Sequence, residues 1–133
     1  MAEAMLRTKA QKYGRKDIEC ASAGTHVWPG DLAAKDTVRE LKSRGIDIDG
    51  RPARQLDEKI GTDADVILTM TQRVSLAVKA ILPDQAEKVH TLCDYVGETG
   101  DIDDPYGCGE EVYHATADQI DRLLEKLLAR LEN

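Results

Sequence analysis

Apolar and polar positions follow two rhythms along this chain. The longer one is helical. Across residues 110–132, Val112, Thr116, Ile120, Leu123, Leu127 and Leu131 recur at helical spacing, and Leu124 and Leu128 widen the stripe. That predicts a packed terminal helix, and the only rival is a short heptad seam. The other rhythm is a continuous apolar run, Asp65-Val66-Ile67-Leu68-Thr69-Met70, of the kind buried on both faces of a parallel sheet. Residues 88–92 predict a further strand, and residues 18–23 another that ends at Gly24-Thr25. Helical segments separate them. Residues 1–13 are nearly all good helix formers, closed by Gly14. Residues 31–44 place Leu32, Val38 and Leu41 on one side, with Gly45 closing the segment. Residues 72–82 turn Val74, Ala77, Val78 and Ile81 inward, and Pro83 is the stop. Residues 57–61 form a weaker helical piece, and residues 46–50 an edge or turn.

Helices alternating with strands predict an α/β layer fold with a mostly parallel sheet. Ligands in such sheets bind beyond the carboxyl ends of the strands, where the strand order reverses. The loops after the predicted strands are 24–30, 71–72 and 93–109. They hold the only tryptophan, Trp28, and the stretch Asp101-Ile102-Asp103-Asp104-Pro105-Tyr106-Gly107. Proline sets its own φ and keeps the preceding residue out of the helical region, so Asp104-Pro105 fixes a carboxylate on a stiff turn. Such a group is either a general acid or an ordinary surface turn. The first helix begins at the first residue, with no Ser, Thr, Asp or Asn upstream to cap it. The expectation is a chain that starts part-way into a fold.

Composition narrows the classes. The 133 residues predict a single domain, long enough for a real core. No apolar run is long enough to span a membrane and no signal peptide opens the chain, which predicts a cytoplasmic protein without a membrane partner. A net charge of −7 disfavours nucleic acid. Cys20, Cys93 and Cys108 are odd in number and form no CxxC pair. His26, His90 and His114 form no ligand-spaced cluster with them, so reduced thiols are expected and a metal site is not.

Several segments together resemble the low-molecular-weight protein tyrosine phosphatase family, including its bacterial arginine phosphatase branch. They are Ser22-Ala23-Gly24-Thr25, Ala53-Arg54-Gln55, the run 65–71, and Asp104-Pro105-Tyr106-Gly107 with Glu111-Val112-Tyr113 after it. The resemblance covers essentially the whole chain. It implies a three-layer, flavodoxin-like parallel sheet. It also implies a phosphorylated protein substrate, carrying phosphotyrosine or phosphoarginine, and no cofactor. Asp104 would be the general acid, protonating the leaving oxygen or nitrogen and later activating water. Asp101 and Asp103 would be solvated neighbours. Trp28 and Tyr106 would be aromatic walls along the substrate side chain. Where relatives carry a histidine before the Ala53-Arg54-Gln55 segment, this chain has Arg51.

The family's catalytic element is a Cys-x5-Arg loop between its first strand and first helix. Six residues after Cys20, Cys93 and Cys108 stand His26, Thr99 and His114, so none of the three begins that motif. In the family, that loop supplies a thiolate nucleophile, backbone N–H groups around the phosphate, and an arginine clamp. The expectation is therefore an N-terminally truncated phosphatase domain without its central strand, inactive as it stands. Two other readings are a non-catalytic pseudophosphatase interaction module and a relative of arsenate reductase. The latter would need further redox cysteines, which Cys93 and Cys108 match only faintly.

Overall fold

The computed structural model describes residues 1–25, 27, 32, 34–48 and 53–131. In chain order they form α1 (Ala2–Lys12), α2 (Lys35–Ser43), α3 (Glu58–Asp63), β1 (Ile67–Thr69), α4 (Gln72–Ile81), β2 (Val89–Thr91), α5 (Leu92–Tyr95) and α6 (Glu110–Arg130). A 3₁₀ turn, Pro83–Lys88, joins α4 to β2. β1 and β2 are parallel, with Ile67 opposite Val89 and Thr69 opposite Thr91. Parallel neighbours need a crossover, and α4 with the 3₁₀ turn provides it.

Successive strand residues face opposite sides, and the core divides accordingly. Leu68 and Met70 pack against a larger cluster built from Met5 of α1, Leu41 of α2, Leu92 of α5, and Ile120, Leu123, Leu124 and Leu127 of α6. Ile67 packs on a smaller one, Val78, Leu82 and Val89, beneath α4. On that side Thr69 and Ser75 share a buried hydroxyl hydrogen bond of 2.6 Å. The short elements start on local caps. The side chains of Asp57, Thr71 and Thr91 accept the N–H of Ile60, Val74 and Asp94, which satisfies donors a helix start leaves free. At the far end of α3, the Lys88 ammonium donates to the Gly61 and Ala64 carbonyls at 2.8 and 2.7 Å.

Several sequence expectations change. Residues 18–23 form no strand. Among the described residues β1 has only β2 beside it, and a strand without a neighbour has no ladder to join. The same open edge explains why Ile67 and Leu68 are only half-buried rather than enclosed on both faces. Val74 and Ile81 were expected inward but are 39% and 41% exposed, leaving Val78 as the buried apolar residue of that helix. On α6 the buried stripe begins at Tyr113 and Ala117, while Val112 faces out. Leu32 is exposed as well.

Glu98, just after α5, is clipped to α6. Arg122 donates to it twice, at 2.6 and 3.1 Å, and the Lys126 ammonium lies at 2.6 Å. The Arg122 and Lys126 hydrogen bonds hold its carboxyl down at about 2.

Two outcomes follow. Leu123 is 0% exposed and Leu76 67% exposed. Leu123→Ala should therefore lose about 2–5 kcal/mol of unfolding free energy in a urea titration. Leu76→Ala should stay within about 0.5 kcal/mol of the parent. A folded pKa below the ordinary carboxylate value means the Glu98 contribution is complete above the unfolded-state pKa and fades as pH falls towards about 2. Glu98→Gln should lower the urea midpoint near neutral pH and leave it unchanged near the acid limit. A difference that persisted at the acid limit would refute the clip.

Candidate functional site

The site builds outward from the carboxyl end of β1. After α5 the chain returns to that end. Ile102, an apolar residue among acids, is buried there, and its N–H donates to the Met70 carbonyl at 2.8 Å. One residue earlier, a carboxylate oxygen of Asp101 accepts the Gln72 N–H at 3.0 Å, at the first turn of α4. Asp101, exposed as expected from sequence, is thus an anchor as well. It meets a helix start whose N–H groups lack intrahelical partners and whose dipole favours negative charge. Ile102 was the available cue for this docking, but nothing local in the sequence pointed from Asp101 to Gln72.

Pinned at these two points, the loop presents Asp104 at the surface. Its Oδ1 accepts the Tyr106 N–H at 3.0 Å, a side-chain-closed turn that fixes the carboxylate relative to its own backbone. The Cys108 N–H donates to the Pro105 carbonyl at 2.9 Å. Gly107 and Gly109 then take φ of 78° and 93°, a region side chains disfavour, and the chain turns into α6. Tyr106 is 74% exposed, so its ring stands in solvent on the same turn as Asp104.

Tyr113 closes the first turn of α6. It is buried, and burial pushes its phenol pKa up. A hydrogen bond with Thr37 of α2 opposes that shift, and the charges of Asp36 and Asp104 add to it. The starts of α2 and α6 therefore meet. Arg39 bridges them outside, 2.7 Å from Glu110. In the sequence Tyr113 stands out only within Glu111-Val112-Tyr113, and its place at the head of the buried α6 stripe is the signal that marks it.

Two further motif segments meet each other. The Gly24 N–H donates to the Arg54 carbonyl, and the Gly24 carbonyl accepts the Leu56 N–H, both at 2.8 Å. Trp28, the second expected aromatic wall, lies outside the described residues, as do His26 and Arg51. The structure thus places Asp104 and Tyr106 on one turn and leaves the Trp28 expectation unplaced.

The thiols differ from an activated nucleophile. Burial pushes the Cys20 thiol up, with Arg7 opposing. Burial and then the charges of Glu98 and Asp101 push up that of Cys93. A nucleophilic thiolate needs the opposite shift. Cys108 is exposed, with its sulfur 3.7 Å from the Tyr106 carbonyl. Among the described residues no group of three or more His, Cys, Asp or Glu could hold a metal ion, and no helix is long and apolar enough to cross a membrane. What the arrangement offers chemically is a rigid, solvent-facing carboxylate beside an aromatic ring, at the strand end where α/β sheets bind ligands.

Comparison with known proteins agrees with this geometry. The family described as "Low molecular weight phosphotyrosine protein phosphatase" matches residues 1–133. The protein-arginine-phosphatase of Bacillus subtilis is 30% identical over 133 residues, covering 99% of this chain and 87% of that one. The crystal structure of a low-molecular-weight protein tyrosine phosphatase from T. tengcongensis superimposes with a TM-score of 0.93 at 36% identity, over 98% of this chain and 88% of that one. A YwlE arginine phosphatase mutant with a phosphorylated active-site serine gives 0.93 at 30% identity, over 98% and 85%. The open parallel α/β sheet is the fold of these phosphatases, and the chain belongs to the low-molecular-weight phosphotyrosine protein phosphatase family.

Proposed function

We propose that residues 1–133 form a single phosphatase domain in which Asp104 is the general acid and base for a phosphorylated protein substrate. Turnover also needs a Cys-x5-Arg loop, which none of Cys20, Cys93 or Cys108 begins. The observation that carries this reading is the pinning of the Asp104 turn to both Met70 and Gln72 at the carboxyl end of β1. A carboxylate held this way on the surface is positioned before substrate arrives, so little orientation is left to be lost in the transition state.

The chemistry proceeds in two steps. A cysteine thiolate of the required loop attacks phosphorus, and an S–P bond forms as the bond to the leaving oxygen or nitrogen breaks. Protonated Asp104 gives its proton to that leaving atom and becomes a carboxylate. The carboxylate then takes a proton from water as the water oxygen attacks phosphorus. The S–P bond breaks, which regenerates the thiolate and releases phosphate. The phosphorylated serine in the related mutant supports a covalent first step. Tyr106 and Trp28 flank the substrate side chain, where aromatic faces suit a flat group such as a phenol ring or a guanidinium. The match to a protein-arginine-phosphatase over nearly the whole chain supports phosphoarginine as the first substrate to test.

The test compares residues 1–133 alone with the same residues behind an N-terminal strand and Cys-x5-Arg loop. The chain alone should release no phosphate from phosphoarginine or phosphotyrosine peptides, and the extended chain should turn over. Asp104→Asn should then lower kcat by about 10²–10⁴-fold. An extended chain that folds and binds partners without turnover would instead support an interaction module.

A further inference from the structure

Two motif segments, Ser22-Ala23-Gly24-Thr25 and Ala53-Arg54-Gln55, have no part in the chemistry above, yet the structure ties them together closely. Gly24 and Gln55 form an isolated parallel bridge. The Gln55 side chain then reaches past it. Its Oε1 accepts the Val27 N–H at 2.8 Å, and its Nε2 donates to the Thr25 carbonyl at 2.9 Å and to the Leu56 carbonyl at 3.4 Å. One amide group therefore holds two main-chain groups of the same loop, two residues apart. Its orientation is fixed by chemistry. A flipped amide would point NH₂ at the Val27 N–H and oxygen at the Thr25 carbonyl, and both contacts would repel.

The loop is shaped to be held this way. A Cβ on Gly24 would stand 2.6 Å from Val27 Cγ2, so the Val27 side chain occupies the space a larger residue would need. Gln55 itself is exposed and belongs to neither core cluster. Its side chain thus acts on the course of the loop rather than on packing. Among side chains only the carboxamides offer a donor and an acceptor together in this planar arrangement, and asparagine is one methylene shorter. Val27 is followed directly by Trp28 in the sequence.

We propose that Gln55 is a positioning residue. By holding Thr25 and Val27 it fixes this stretch of the loop as part of the substrate rim, and so governs how tightly the substrate side chain is bound. This rests on the phosphatase reading above.

The test has two arms. In residues 1–133, amide hydrogen exchange at Val27 should quicken about tenfold in Gln55→Ala, while the Leu123 amide in α6 stays unchanged. Gln55→Glu keeps the acceptor but sets a second oxygen against the Thr25 carbonyl, so exchange at Val27 should fall between wild type and Gln55→Ala. In the extended, active chain, Gln55→Ala should raise KM for a phosphopeptide about tenfold with kcat within about twofold, and Gln55→Glu should fall between. Unchanged Val27 exchange in Gln55→Ala would overturn the clamp. Faster exchange with an unchanged KM, or a fall in kcat alone, would overturn its role at the rim. If the unsubstituted extended chain shows no turnover, the phosphatase reading has failed and takes the rim role with it, whereas an active parent with an indifferent Gln55→Ala sinks this inference alone.

Discussion

The structure depends on β1, a strand of three residues with a hydrogen-bonded neighbour on one edge. Its ladder with β2 fixes the register of the sheet, and its alternating side chains separate the two core clusters. Its carboxyl end receives the Met70–Ile102 hydrogen bond and hands the chain to the Thr71 cap of α4. On the other edge no strand stands among the described residues, and the consequences spread outward. Residues 18–23 remain irregular and mostly at the surface, and Ile67 and Leu68 are half-buried. Buried main-chain groups without partners cost about 1–3 kcal/mol each, so a segment lacking a ladder is better placed where water can serve it.

From that strand end the functional turn inherits its rigidity. Asp104 is exposed, yet its turn is held by buried Ile102 and by Asp101 on the start of α4. Exposure and rigidity are both needed in a general acid, which must meet solvent and substrate without drifting. The cysteines show the opposite pattern. The thiols of Cys20 and Cys93 are shifted away from the thiolate form by burial.

What was legible in the sequence follows the range of the interaction concerned. α6 could be read because Ile120, Leu123, Leu124, Leu127 and Leu128 carry its period within one segment. β1 could be read as an apolar run, β2 as a short strand at residues 88–92, and the Asp104 turn from its proline. The irregularity of residues 18–23 could not be read locally, since a strand exists only with a partner. Val74 and Ile81 have the right period for burial, but the surface that would cover them depends on tertiary placement. Asp101, Lys88 and Gln55 act through main-chain groups 24 to 30 residues away, where no sequence rhythm connects them. Trp28 was read from the sequence and lies outside the described residues.

The central claim is that Asp104 delivers a proton to the leaving atom. The most direct measurement is the leaving-group dependence of the Asp104→Asn defect in the extended, active chain. Nitrophenolate leaves readily without a proton, whereas phenolate requires one. The account predicts a modest kcat loss for p-nitrophenyl phosphate and a much larger loss for phenyl phosphate. Equal losses for the two substrates would contradict it, because the carboxylate would then be acting on something other than the departing atom.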